Sequence, residues 1–375
     1  MFFHFPPISG GGVVLIVDII NKFAEEGHDV TVLTPDLKWD KEKFEPEINS
    51  KIKIIRVDTP SRENLKIAAR RCQSKMLEKG IEIAKDEKFD FIFTIFHPFH
   101  LVPKAAVSCG KKIGIPVMVK VDDAIYEKAS GLKIIQRKIE NMINSRTLQN
   151  ASKVLVMNNE TKKLVHEYYQ VSLKNIAIIP NGVDLSIFTK TSTQDSKNII
   201  FSGAMYHHRG LDVLIDAITK IIKHHPDAKF ILLGDGPELE KLRNMVKTLE
   251  LERNVEFKGW ISRKEIPKYL QNAVLGIGPL RLTDVTSRAL PIKVLEYMAS
   301  SLPLIAKNGT LPEDVLKDEK NGFFIENSED LAEKIIFLLN NPQEIEKMGE
   351  ESLKMVQKFS WDHVIKSIID QYKTI

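Results

Sequence analysis

The sequence predicts an α/β fold built from two Rossmann-like domains, on three observations. Short runs of β-branched or aromatic residues alternate with amphipathic stretches along most of the chain, the pattern of parallel strands covered by helices. That rhythm stops in the polar stretch 189–198 and then restarts. A chain of 375 residues also exceeds what one core ordinarily holds.

In the first half, strands are expected at residues 2–5, 30–33, 52–57, 91–95, 117–121, 154–157 and 176–179, with helices over 13–26, 65–85, 102–112, 132–150 and 161–169. The polar stretch reads as a linker. Strands then recur at 199–201, 230–233, 255–257, 275–277, 304–306 and 322–324, separated by helices such as 211–224 and 331–340, and beyond Asn341 the pattern is helical only. This organisation predicts a first domain over 1–182 and a second over 198–358. Ligands of doubly wound sheets sit at the carboxyl ends of strands, so the expected site is a cleft between two such domains facing each other.

Composition excludes several classes. Hydrophobic residues make up 43% and charged residues 28%, a globular balance, and Cys72 and Cys109 are too few for a disulfide framework or a cysteine metal site. They suit packing in a reducing compartment. No apolar run approaches the roughly 20 residues of a membrane span, and no signal core follows a basic start. A cytoplasmic protein is expected. The net charge of +4 divides into +6 over residues 1–180 and −2 over the rest. That imbalance suits a solvated surface or an anionic partner surface, but falls far short of a nucleic-acid binder.

The motif Pro6-Pro7-Ile8-Ser9-Gly10-Gly11-Gly12 lies between a strand and a helix. Missing side chains there let an anion approach the backbone N–H groups of a helix start. Val13, Val14 and Leu15 follow, so the glycine spacing of a dinucleotide fingerprint is absent and a nicotinamide enzyme is disfavoured.

In combination the motifs say more. Pro6-Pro7 with the glycines, Gly27-His28-Asp29-Val30-Thr31-Val32-Leu33-Thr34 and Pro180-Asn181-Gly182-Val183-Asp184 are followed by Ser202-Gly203, Arg209-Gly210-Leu211-Asp212, Gly234-Asp235-Gly236-Pro237, Gly259-Trp260 and Glu296-Tyr297-Met298-Ala299. Nearly the whole chain, in order, resembles the family 4 glycosyltransferases. The resemblance implies a GT-B fold, a nucleotide-diphosphate sugar donor and a retaining transfer with no metal and no cofactor. It also implies that the C-terminal helix, 361–375, crosses back to the first domain.

Donor-binding residues implied by the resemblance are Gly10, Gly11, Gly12, Gly203, Arg209, Gly234, Asp235, Gly236, Gly259, Arg288, Lys293 and Glu296. Arg209 stands where the family commonly has a lysine before glycine, keeping the charge and adding a planar fork suited to phosphate. Two departures stand out. Ala204 replaces an arginine often found after the strand glycine, and Arg288 replaces a glutamate eight residues before Glu296. Lys293, three residues before Glu296, resembles a variant of that motif, and either Lys293 or Arg288 restores positive charge. Glu296 is expected to accept hydrogen bonds from ribose hydroxyls. On the first domain, His97 or His100 is the expected catalytic histidine after the strand 91–95, and Asp122 is expected to orient hydroxyls or to cap the next segment. Arg209 completes the catalytic set.

The expected activity is transfer of a hexose-type sugar from a UDP- or GDP-sugar to a glycan, a lipid-linked acceptor or a small molecule. A nucleotide-sugar 2-epimerase of the same fold and a non-catalytic nucleotide-binding partner stay open as alternatives. The helix 65–85 carries the stripe Leu65, Ala69, Cys72, Met76 and Ile83 flanked by Lys66, Arg70, Arg71, Lys75 and Lys79. That pattern fits either packing on its own sheet or contact with an anionic membrane at the inner surface. Members of the family generally have a few more residues before the equivalent of Phe2-Phe3, so the first strand is expected to be short.

Overall fold

The computed structural model of the chain describes every residue except 9–10, 37–44, 59–64, 99–100, 123–132, 190–195 and 288, and describes the backbone alone at 11, 65–71 and 133. Two compact units emerge: Met1–Asn181 together with Trp361–Ile375, and Gly182–Ser360. The α/β reading holds in each.

The first unit runs α1 (Gly11–Glu25), β1 (Thr31–Asp36), β2 (Lys53–Asp58), α2 (Leu65–Asp86), β3 (Ile92–Ile95), α3 (Val102–Ile113), β4 (Val117–Val121), α4 (Lys133–Gln149), β5 (Lys153–Val156), α5 (Asn159–Tyr169) and β6 (Ile176–Ile178). β1 and β2 pair in parallel, and β3 to β6 form a parallel sheet in chain order. Every position of β4 is buried, as expected of a central strand covered on both faces. One of those positions is Lys120, whose ammonium donates to the Ile179 carbonyl at 3.1 Å and pairs with Asp122 at 2.9 Å. A buried charge needs both contacts.

Residues 2–5 depart from the sequence reading, because they form no strand. The Phe2 N–H donates to the Leu33 carbonyl at 3.1 Å and the Met1 ammonium to the Phe93 carbonyl at 2.7 Å. Two residues thus bridge β1 and β3 where a ladder would need a longer run bonded on both sides. Phe2, Phe3 and Phe5 go into the core instead. Behind them a cavity of about 720 Å³ is lined by residues 27–33 and 89–93, which lead into and along β1 and β3. Burial in this region pulls the Met1 ammonium down to about 5.

α2 uses its apolar stripe internally. Cys72 and Met76 are fully buried in the cluster with Phe3, Leu33 and Val102, and Ile83 packs against it. Packing within its own unit is therefore what the described part of this stripe, Cys72, Met76 and Ile83, does. Lys75 reaches the Asp58 carbonyl and Lys79 pairs with Glu82, while the side chains of Leu65, Lys66, Ala69, Arg70 and Arg71 lie outside the described residues.

The end of the chain returns to the first unit. The C-terminal helix, Trp361–Tyr372, buries Trp361, Val364, Ile365 and Ile368. Asp362 pairs with Lys22 of α1 at 2.5 Å, and the Tyr372 ring lies 5.3 Å from that of Phe91.

The second unit contains β7 (Asn198–Ser202), α6 (Leu211–His224), β8 (Lys229–Leu233), α7 (Leu239–Thr248), β9 (Val255–Gly259), α8 (Ile266–Gln271), β10 (Leu275–Ile277), α9 (Ile292–Ala299), β11 (Leu304–Lys307), β12 (Gly322–Ile325), α10 (Ser328–Asn340) and α11 (Pro342–Val356). Its parallel sheet has the order β12-β11-β10-β7-β8-β9. One core, from Phe201 and Leu214 through Phe230 and Ile277 to Ile335, joins the sheet to its helices. Among the described residues, no helix is long and apolar enough to cross a membrane.

Ile365 has no exposed surface and belongs to the first unit. Ile365→Ala is expected to cost about 2–4 kcal/mol, read as a lower urea midpoint with faster hydrogen exchange in α1. Faster exchange confined to residues 182–360 would contradict the assignment of this helix.

Candidate functional site

Open parallel sheets place ligands outside the carboxyl ends of the strands where the order reverses. In the second unit that point is β7, which has β8 on one side and β10 on the other. β7 is followed by Gly203 with φ 125° and β8 by Gly234 with φ 129°. A Cβ on Gly234 would stand 2.2 Å from the Gly203 carbonyl oxygen. Only glycine lets the two loops run backbone against backbone. They are joined by Gly203 N–H to the Leu233 carbonyl at 2.8 Å and Met205 N–H to the Asp235 carbonyl at 2.8 Å, and Gly234 N–H donates to the carbonyl of Gly259 at the end of β9 at 2.7 Å. The Asp235 carboxylate accepts from the Gly236 N–H at 2.6 Å, shaping its own turn.

Two cations stand beside this wall. Lys293, in the first turn of α9, is 8% exposed and its ammonium lies 3.5 Å from the centroid of the Phe201 ring. Among the described residues it has no hydrogen-bond partner, and a Cβ on Gly203 would sit 3.3 Å from it. Burial pushes its pKa well below the usual lysine range, Arg209 adds to that, and Glu296 opposes it. Arg209 ends the turn His207–Arg209, and its carbonyl accepts from Leu280 N–H at 3.0 Å, tying the loop after β7 to the loop after β10. Arg281 holds the turn from below, donating to Asp212 at 2.7 Å and to the His207 carbonyl at 3.2 Å. Burial lowers the pKa of His208, and Arg209 and Lys293 lower it further. The local field is positive, as a site for an anion requires.

Glu296 follows Lys293 on α9 and is 5% exposed, with the Arg263 guanidinium 4.0 Å from its carboxylate. Next to it, the Tyr297 hydroxyl accepts from the Ser202 N–H at 2.7 Å and so anchors α9 to the end of β7. The second unit thus brings together Gly203, Arg209, Gly234, Asp235, Gly236, Gly259, Lys293 and Glu296. Arg288 lies outside the described residues.

In the first unit the candidates sit at strand ends and helix starts. Gly11 opens α1, and a Cβ on Gly12 would meet nothing within 4 Å, so the space beside the first turn is open. His97 follows β3, half-buried, with its ring 5.9 Å from that of His4. Burial pulls His97 down to about 4 with His4 contributing, and burial also lowers His4. His97 is therefore a neutral imidazole near pH 7. Asp122, at the end of β4, has its charge engaged by Lys120. Gly10 and His100 lie outside the described residues.

Sequence reasoning missed His4, Lys120, Ser202, Arg263 and Tyr297. A lysine inside the run Val117-Met118-Val119-Lys120-Val121 was the one available signal; the others depend on contacts between distant segments.

With this geometry in hand, comparison with known proteins is decisive. Residues 9–187 match the family model described as "Glycosyltransferase Family 4", and residues 184–355 match "Glycosyl transferases group 1". The chain belongs to the group 1 glycosyltransferases. This glycosyltransferase is 24% identical to an uncharacterized glycosyltransferase of Haemophilus influenzae over 98% of the chain and 96% of that relative. It is 23% identical to the alpha-monoglucosyldiacylglycerol synthase of Acholeplasma laidlawii over 90% of the chain and 86% of the synthase. Among solved structures, Anabaena HepE in complex with UDP superposes with a TM-score of 0.77 at 14% identity, covering 100% of this chain and 99% of HepE. The two-unit α/β architecture of the glycosyltransferase is the GT-B fold.

His97 gives a pH test with a definite sign. Its folded pKa, about 4, lies below the ordinary value of 6.5, so its contribution to stability is present above 6.5 and is lost as the pH falls toward 4. Urea unfolding at pH 7 and pH 5 is expected to show a smaller acid loss in His97→Gln than in wild type; equal losses would mean that His97 is not held neutral.

Proposed function

We propose that this glycosyltransferase moves a hexose, with retention of anomeric configuration, from a UDP-sugar such as UDP-glucose to a lipid-linked or glycan acceptor, without a bound metal. The observation that carries the reading is Lys293, a buried ammonium with no hydrogen-bond partner among the described residues, beside Gly203 and acted on by a second cation, Arg209. When the bond between sugar and diphosphate breaks, negative charge grows on the departing phosphate, and fixed cations stabilise that charge in the transition state. Arg209 supplies a planar fork able to hold two phosphate oxygens, and Lys293 supplies a point charge. Backbone N–H groups at the glycine turns add dipoles. Glu296 accepts from the ribose hydroxyls, since one carboxylate can take two neighbouring O–H donors.

His97, neutral near pH 7, is suited to hydrogen-bond a sugar hydroxyl without adding charge. UDP is favoured over GDP because solved structures of HepE hold UDP and UDP-glucose. A lipid-linked acceptor is favoured by the alpha-monoglucosyldiacylglycerol synthases of Acholeplasma laidlawii and Streptococcus pneumoniae, which are similar to this chain over most of its length. Such an acceptor places the enzyme at the cytoplasmic face of a membrane.

Calorimetric titration tests the donor site. Arg209→Ala and Lys293→Met are each expected to lose about 1.5–3 kcal/mol of UDP binding, roughly 10- to 150-fold, with GDP binding weaker than UDP in the wild type. Unchanged UDP affinity in both variants would remove these cations from the donor site.

Metal independence has its own test. Glucose release from UDP-glucose is expected to persist in excess EDTA, because the charge is met by Arg209 and Lys293. Loss of activity that manganese restores would overturn that part of the proposal.

A further inference from the structure

We infer that α4 carries a membrane-docking face, and that what covers it is a bilayer surface bearing anionic headgroups. Ile134, Ile135, Ile139 and Met142 are 42%, 61%, 51% and 49% exposed. At about 100° per residue, they fall on one arc of roughly 140° in the angular order Ile134, Met142, Ile135, Ile139. Lys138 and Arg146, both exposed, lie within the same arc, together with the uncharged Ser145 and Gln149. Glu140, the acidic residue of α4, points away from it and pairs with Arg137. Four large apolar side chains exposed on one arc are more than a helix facing water alone would carry.

The opposite side of α4 is fixed. Leu148 is fully buried, Thr147 and Asn144 are buried, and the Asn144 side chain donates to the Pro98 carbonyl at 3.1 Å. That bond ties the helix to the segment after β3 that carries His97. The exposed arc is therefore the outer face of a packed element whose inner face holds a candidate catalytic loop.

Interleaved cations choose the occupant. Long basic side chains lay their stems on an apolar surface and raise their charges to a phosphate layer, whereas the centres of protein interfaces are depleted in lysine. Self-association about a two-fold axis would set the same face against itself and bring Lys138 and Arg146 toward their own copies. The excess of six positive charges over residues 1–180 further favours an anionic surface. The inference rests on the proposed lipid-linked acceptor, whose polar end would then emerge near the loop that Asn144 holds.

Sedimentation of the full chain with large unilamellar vesicles tests this, using phosphatidylcholine alone and a 7:3 mixture of phosphatidylcholine and phosphatidylglycerol. Wild type is expected to sediment with the mixture and much less with phosphatidylcholine. Ile135→Ser with Ile139→Ser is expected to weaken binding to the mixture at least about tenfold, and Lys138→Gln with Arg146→Gln by about fivefold per charge removed. Melting temperatures and UDP affinities are expected to match wild type, so failure of the donor reading and failure of docking are read separately. Wild type left in the supernatant, variants that sediment like wild type, variants that unfold, or a wild-type dimer that the serine variant converts to monomer would each overturn the inference.

Discussion

Two like charges held in one small region are the constraint on which the second unit is organised. Lys293 is buried with Arg209 acting on it, and repulsion plus desolvation make that arrangement costly. The fold offsets the cost with the Phe201 ring beneath the ammonium, the Glu296 carboxylate nearby, and the wide apolar core that fixes β7 and β10. Tyr297 anchors α9, the helix that carries Lys293, to the Ser202 backbone. An anion relieves the repulsion, and a site of this kind is complementary to charge before any ligand arrives.

The two units handle polar groups differently. In the second, positive charge is concentrated at strand ends and supported from below by the Arg281–Asp212 pair. In the first, the polar groups at strand ends are neutralised: His97 and His4 are held uncharged by burial, and Asp122 is matched by Lys120.

How far the sequence could be read follows from how local each signal is. The strands of the second unit were legible because short apolar runs such as Phe230-Ile231-Leu232-Leu233 are closed by glycine. The C-terminal helix was legible from the stripe of Val364, Ile365 and Ile368. Residues 2–5 misled because their aromatic content suits a strand, whereas being one depends on a ladder on both sides, and the bonds of Met1 and Phe2 to the neighbouring strands do not make one. The stripe on α2 fitted two readings, and burial of Cys72 and Met76 assigns its described part to packing. The glycine motifs and Arg209 gave away their grouping, but the enclosed position of Lys293 did not, since lysine is ordinarily a surface residue and its burial is a property of the assembled sheet.

The first unit is discontinuous in the chain, with Trp361–Ile375 joining Met1–Asn181, whereas the second runs without interruption from Gly182 to Ser360. During synthesis the second unit can therefore complete its core before the helix that buries Ile365 against the first has been made. Assembly of this enzyme has a built-in order in which the half translated first is sealed last. Until then the surface of α1 that receives this helix is exposed, and a ribosome stalled before Trp361 would leave it open to chaperones and proteases.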